Sequence, residues 1–135
     1  MKHYQTRSRP LSLCKLVYTI RKRDDIAVEE FTRYWKNEHA NLVSEVAEAI
    51  RAKRYVQSHV IDTPINDAVA ESRGLLPHYD GLTEVWWDSI EDLQEGVSSV
   101  EGAAAMQRLA DDESIFIDHA QSTIFLTHEH EVFDR

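Results

Sequence analysis

Four segments alternate like strands, two long stretches carry helical periodicity, and their order along 135 residues is β-α-β-β-α-β; together these predict an α+β sandwich of the ferredoxin-like, split-βαβ kind. In such a topology the helices cover one face of a four-stranded antiparallel sheet and leave the other bare. A chain this long hides roughly two-thirds of its unfolded surface in one core, which argues against a second independent domain. We read residues 12–135 as that single domain and residues 1–11 as a flexible basic arm.

Each element has a local reason. In LCKLVYTI, from Leu13, β-formers dominate, and Cys14, Leu16, Tyr18 and Ile20 alternate onto one face, giving the first strand. RKRDD breaks the pattern, and Asp24 or Asp25 is placed to cap a helix whose first turn carries Glu29 and Glu30. Val28, Phe31, Trp35, His39, Leu42, Val46 and Ile50 then step by three or four, forming one stripe in which His39 is the only polar residue. The second strand spans Tyr55 to Ile61, with Val56 and Val60 opposite Tyr55, Gln57, His59 and Ile61. Thr63 and Pro64 end it, and the stretch up to Gly74 and Pro77 reads as an irregular or briefly helical insertion. In YDGLTEVWWD a third strand sets Leu82, Glu84 and Trp86 against Gly81, Thr83, Val85 and Trp87. Asp88 or Ser89 caps the second helical stretch, which breaks near Gly96 and restarts after Ser99. A fourth strand runs from about Ser122 to Val132. Because aromatic and aliphatic residues occur on both strand faces, the bare sheet face calls for self-association.

Composition narrows the function classes. Cys14 is the single cysteine, which excludes an internal disulfide and any site built on several thiolates. The net charge is −9, yet residues 1–23 carry +7 with no acid and the remainder carries −16. An acidic bulk without a sustained basic face argues against a nucleic-acid partner. No apolar run approaches the roughly 20 residues a bilayer requires, and the polar start lacks a secretory pattern, so no membrane partner and a cytoplasmic location are expected. There is no Gly-rich phosphate loop, no GxSxG elbow and no strand-linked GxGxxG, which leaves nucleotide use and serine hydrolysis without support.

Three separated segments resemble the EthD family of the dimeric α/β-barrel superfamily. FTRYWKNEHANLV, residues 31–43, resembles its aromatic-tryptophan element followed by His-Ala. YDGLTEVWWDSIEDL, residues 79–93, is similar to its tyrosine-aspartate turn and glutamate-bearing strand. ADDESIFIDHAQSTIFLTHEHEVF, residues 110–133, resembles its Asp-Glu, Phe-Ile-Asp and terminal Thr-x-Glu elements. The resemblance implies a ferredoxin-like subunit that pairs with its twin into a homodimeric α/β barrel, with a pocket in each subunit. Relatives range over proteins encoded with fuel-ether degradation enzymes, cofactor-free dehydratases and decarboxylases, and lactone isomerases, so activity does not travel with the fold. The insertion at residues 62–78 is longer than the resemblance leads one to expect.

On this basis His39 and Glu84 are the candidate catalytic residues. His39, one turn after Trp35 on an apolar stripe, faces the sheet, where an imidazole can shuttle a proton; the competing role is a core histidine satisfied by a carbonyl or carboxylate. Glu84, flanked by Leu82 and Trp86, suits a general acid or base, or else an exposed position or an ion pair to a partner subunit. Trp35, Tyr18, Tyr55 and Trp86 form a flat aromatic lining if they converge, and otherwise serve as plain core. His59 shares a face with Tyr55 and is a candidate second proton carrier. Asp118 is a candidate binding residue, its competing role being to pin the turn before the fourth strand. His128 and His130 share a strand face, but a metal site needs a third ligand and Glu129 points the other way, so no metal is expected. The other histidines, His3, His78 and His119, read as surface or loop residues, and Cys14 as a small apolar filler.

The expected function is cofactor-independent proton transfer of the lyase or isomerase type on a small aromatic or polyketide-like carbonyl compound, with no cofactor. His39 takes a proton beside a carbonyl, and Glu84 or a tyrosine hydroxyl steadies the enolate. A cofactor-free monooxygenase and a non-catalytic small-molecule-binding accessory protein are the alternatives.

Overall fold

The computed structural model of the chain describes residues 13–135. The basic arm expected over residues 1–11 lies outside the described residues. Four strands, β1 (Cys14–Ile20), β2 (Arg54–His59), β3 (Gly81–Trp87) and β4 (Thr123–Thr127), form one sheet in the order β2-β3-β1-β4. Every neighbouring pair is antiparallel, so β1 and β2 run parallel with β3 inserted between them, which is the split βαβ arrangement. The fold is ferredoxin-like, as the sequence predicts.

Between β1 and β2 the chain is helical from α1 (Val28–Tyr34) through a π-helical turn (Trp35–His39) to α2 (Ala40–Val46). The cap expected at Asp24 or Asp25 is not made: Ala27 precedes the helix without a side-chain bond, and Asp25 instead grips the Arg23 guanidinium at 2.6 and 2.9 Å. Glu29 and Glu30 do occupy the first turn, where the helix dipole favours them. The 62–78 insertion contains a regular helix, α3 (Pro64–Ser72), started by the Thr63 hydroxyl and by Pro64, and none of its residues is buried. In the second crossover, α4 (Ile90–Ser98) is capped by Ser89, one of the two expected residues, and runs on through Gly96, and α5 (Val100–Glu113) restarts after Ser99, whose hydroxyl caps it. The break between them brings Gly102 onto the Gly96 carbonyl, an approach that any side chain at position 102 would block.

β4 is shorter than expected. It pairs only with β1, from Thr19 opposite Thr123 to Lys15 opposite Thr127, and β1 itself begins one residue earlier at Cys14. Among the described residues the ladder ends at Thr127, and His128 and His130 lie beyond the strand rather than on one of its faces. Likewise β2 stops at His59, leaving Val60 and Ile61 exposed.

Two apolar clusters hold the helices to the sheet. One gathers Cys14, Val43, Val46, Ile50, Trp87, Ala105 and Leu109, and the other Ile20, Phe31, Trp35, Phe116 and Ile117. Part of the basic N-terminal charge serves this fold: Arg21 donates to the Pro77 and His78 carbonyls, and Lys15 pairs with Glu84. Among the described residues no helix is long and apolar enough to cross a membrane.

Candidate active site

Phe31, Trp35, His39 and Val43 are spaced by four, whereas an α-helix repeats every 3.6 residues, so four such positions drift by about 40° per step. The π-helical turn at Trp35–His39 is wider and absorbs that drift, which keeps all four buried on one line. Trp35, 1% exposed, packs against the start of β3, where a Cβ on Gly81 would come to 2.5 Å from its ring. The Gln57 amide donates to the Trp35 carbonyl at 2.8 Å and to the Tyr55 hydroxyl at 3.0 Å, and so ties the turn to β2.

Residues of both clusters enclose a cavity of about 320 Å³ between the helix layer and the sheet. Its sheet wall is graded by row: Trp87, then Leu16 with Val85, are apolar, and the next row, Tyr18 with Thr83, is polar. His39 lies in the helical wall, 5% exposed, with Nδ1 2.7 Å from Asp112 Oδ2. The second oxygen of Asp112 accepts the Tyr34 hydroxyl at 2.6 Å. A carboxylate only accepts, so Nδ1 carries the proton and the lone pair of the neutral ring sits on Nε2. Among the described residues Nε2 has no hydrogen-bond partner. The Phe116 ring, 5.0 Å from the imidazole, fixes its remaining side.

A second polar group faces the same space. Tyr18 donates to Glu113 Oε1 at 2.9 Å, and the His119 ring lies 3.2 Å from that oxygen at the rim. Burial, aided by the Glu113 carboxylate, holds the Tyr18 hydroxyl far above the ordinary tyrosine range, and burial also pushes Tyr55 up. Burial and the Asp112 carboxylate push Tyr34 up to about 12. An unfolded tyrosine ionises near pH 10, so the stability these hydroxyls confer is complete below about pH 10 and is lost as the pH climbs beyond it. In alkaline unfolding titrations, Tyr34→Phe is expected to flatten the loss of stability between about pH 10 and 12 relative to wild type.

The predicted site residues divide by sheet face. Tyr18, Trp35, His39 and Tyr55 line the cavity together. Glu84 and Trp86 do not: they lie on the opposite face, where Glu84 bonds Lys15 Nζ at 2.7 Å and the Arg54 guanidinium stacks 4.5 Å over Trp86. The expectation that Glu84 acts beside His39 is corrected by this placement. Strand alternation separated Glu84 and Trp86 from Val85 and Trp87, but it carries no information on which set the helices cover. His59 stacks on the outer side of Trp35 with centroids 4.3 Å apart, bonds Gln57 Oε1 at 2.8 Å and does not line the cavity. Burial and the charge of Lys36 lower its basicity. Asp118 accepts the Ala120 amide at 3.1 Å and caps the 3-10 turn His119–Gln121, the turn-pinning role weighed for it, and it too is off the cavity wall. Cys14 is buried in the apolar cluster, and burial raises its thiol.

Sequence reasoning missed Asp112, Glu113, Tyr34 and Gln57. A signal was present for two of them. Asp112 and Glu113 sit in the last turn of α5, which has no basic residue, and carboxylates there face the negative end of the helix dipole. Such a placement is unfavourable unless other donors occupy the carboxylates, and here His39, Tyr34 and Tyr18 do so.

The site is thus a histidine on the wall of an apolar cavity, oriented by the carboxylate of Asp112, an arrangement suited to a small molecule whether bound or converted. The chain belongs to the EthD family, whose EthD domain model matches residues 23–120. Among curated proteins none is similar enough in sequence to count as a relative. Solved structures share the fold. An EthD-family protein from Bacillus halodurans is 19% identical, with 87% of this chain and 99% of that chain covered and a TM-score of 0.59. A hydroxynitrile lyase from Passiflora edulis is 10% identical, with 93% and 100% covered and a TM-score of 0.61. SnoaB, a cofactor-independent oxygenase from Streptomyces nogalater, is 10% identical, with 92% and 99% covered and a TM-score of 0.56. At these identities the likeness is one of fold.

Proposed function

We propose that the protein is a cofactor-independent enzyme of the lyase or isomerase type, working by proton transfer on a small aromatic or polyketide-like carbonyl compound. The observation that carries this reading is the orientation of His39: Asp112 holds Nδ1, while Nε2 is left without a partner among the described residues, on the wall of the cavity. A neutral imidazole placed this way is a general base. Nε2 takes a proton from the carbon beside the carbonyl, and the C–H electron pair passes into the enolate. In a dehydration the enolate re-forms the carbonyl as it expels a β-hydroxyl group, which leaves as water with the proton from His39. In an isomerisation the same proton returns to a different carbon. Asp112 stabilises the imidazolium formed in between.

Tyr55 is the tyrosine suited to the enolate oxygen. Its hydroxyl accepts from Gln57, which leaves the phenolic proton to give, whereas the Tyr18 proton is committed to Glu113. Trp35 and Trp87 offer flat apolar surface to a planar ring. The same reading takes the chain as a homodimer, joined through the sheet face that the helices leave bare, where Val17, Leu82 and Trp86 lie beside the half-exposed Phe125. The free thiol of Cys14 fits a reducing, cytoplasmic setting.

Deuterium exchange separates the readings. In D2O the protein is expected to speed deuterium incorporation at the α-carbon of a hydroxyaryl ketone above the buffer rate, as followed by mass spectrometry. Oxygen uptake with an electron-rich phenol and no exchange would favour the cofactor-free monooxygenase, a reaction in keeping with the description of SnoaB. Binding without either reaction would make the protein a carrier.

A further inference from the structure

The cavity's charge composition bears on which substrates it admits. Among the described residues lining it there is no Lys or Arg, and Glu113 is the one carboxylate on the wall. Among the described residues, Lys15 faces the other side of the sheet against Glu84, Arg23 pairs with Asp25, and Arg108 with Glu45. His39 directs its Nδ1 proton to Asp112 at 2.7 Å, so the neutral ring presents the lone pair of Nε2, not a donor, to a bound anion. His119 is 44% exposed at the rim and lies against Glu113, so its charge when protonated is directed to that carboxylate.

We infer that the site selects un-ionised substrates, neutral hydroxylated aryl ketones or esters, and that Glu113 is the specificity determinant that rejects carboxylates. The inference rests on the proposed function and narrows it. Of the reactions open to an enolate-forming base, decarboxylation and the isomerisation of carboxylate-bearing lactones each require an anion to be bound. Elimination and proton migration on a neutral ketone do not. A carboxylate brought into a cavity walled by Leu16, Val85 and Trp87 loses its hydration, gains no Lys or Arg partner from the described lining residues and meets Glu113 as a like charge. At the separations a cavity of about 320 Å³ permits, that repulsion alone is worth on the order of a hundredfold in affinity. For a neutral guest the same carboxylate is an asset, because it accepts a phenolic hydroxyl in place of, or together with, that of Tyr18.

The test uses three probes with one ring system and one hydroxyl: 2-acetyl-1-naphthol, methyl 1-hydroxy-2-naphthoate and 1-hydroxy-2-naphthoate. Binding to the full chain near neutral pH is read by calorimetry and by quenching of tryptophan fluorescence, since Trp35 and Trp87 line the cavity. The ketone and the ester are expected to bind, and the acid to bind at least tenfold more weakly. Glu113→Gln is expected to bring acid and ester within about threefold of each other. The comparison of ester with acid on the unaltered protein needs no variant, so the outcome stands even if Glu113→Gln does not fold. An acid that binds as tightly as its ester overturns the selection by charge and leaves the proton-transfer reading in place. If a folded Glu113→Gln protein still rejects the acid, the assignment to Glu113 is overturned. Failure of both neutral probes to bind overturns the cavity reading itself and this inference with it.

Discussion

Replacement of His39 by alanine is expected to slow α-proton exchange by roughly 10²–10⁴-fold, the contribution of one positioned acid or base. Binding of a neutral aryl ketone should change only a few-fold, because the apolar walls remain. Asp112→Asn supplies the more discriminating comparison. Asparagine is nearly isosteric and still offers an oxygen to Nδ1, but it carries no charge to stabilise the imidazolium and its amide group can turn to donate instead. If His39 is the base, Asp112→Asn lowers the exchange rate with little change in ketone affinity, and the pH profile of the remaining activity is displaced. Full activity in both variants, with the ketone still bound, would remove proton transfer from this site. Tyr34→Phe takes away only one of the two donors to Asp112, so its effect on rate should be smaller than that of either.

The largest structural effect is expected at Trp35. Truncating a fully buried large aromatic typically costs about 3–5 kcal/mol, a large share of the stability of a domain this size. Trp35→Ala would strip a ring that packs on Phe31, supports His59 and lies against the backbone of Gly81. A fall of roughly 10 °C or more in thermal midpoint is expected. Gly81→Ala probes the same contact from the other side: its new methyl group would enter the space of the indole ring, and Trp35 would have to move. Because Trp35 begins the π-helical turn that ends at His39, both variants should also disturb the base, and exchange activity should fall faster than the folded fraction. Activity that tracks folded protein one to one would show that the turn does not position the imidazole.

Much of this site could be anticipated from residue order. The stripe from Val28 to Ile50 announced a buried helix face with a histidine on it, and the structure buries that histidine but leaves Val28 exposed at the start of the helix. Strand alternation grouped Tyr18 with Leu16 and Tyr55 with Gln57, and both groups face the helices. It grouped Glu84 with Trp86 as well, and here the inference to function failed. A period of two sorts side chains into two sets but leaves each set's neighbour unnamed. Residue order also placed Leu42 next on the helical stripe, whereas the structure buries Val43 in its stead, because the widened turn carries the buried line four residues on from His39.

Taken alone, the order of residues determined the strand and helix sequence, the burial of Trp35 and His39, a helix start at Asp88 or Ser89 and a restart after Ser99. These follow from local periodicity and capping, which act within a few residues along the chain. Tertiary structure decided which sheet face is covered, that Asp112 comes to hold His39 across 73 positions of sequence, and that Glu113 rather than Glu84 is the carboxylate on the cavity wall. These are pairings between distant segments, set by how two helical crossovers dock on one sheet, and no local pattern encodes them.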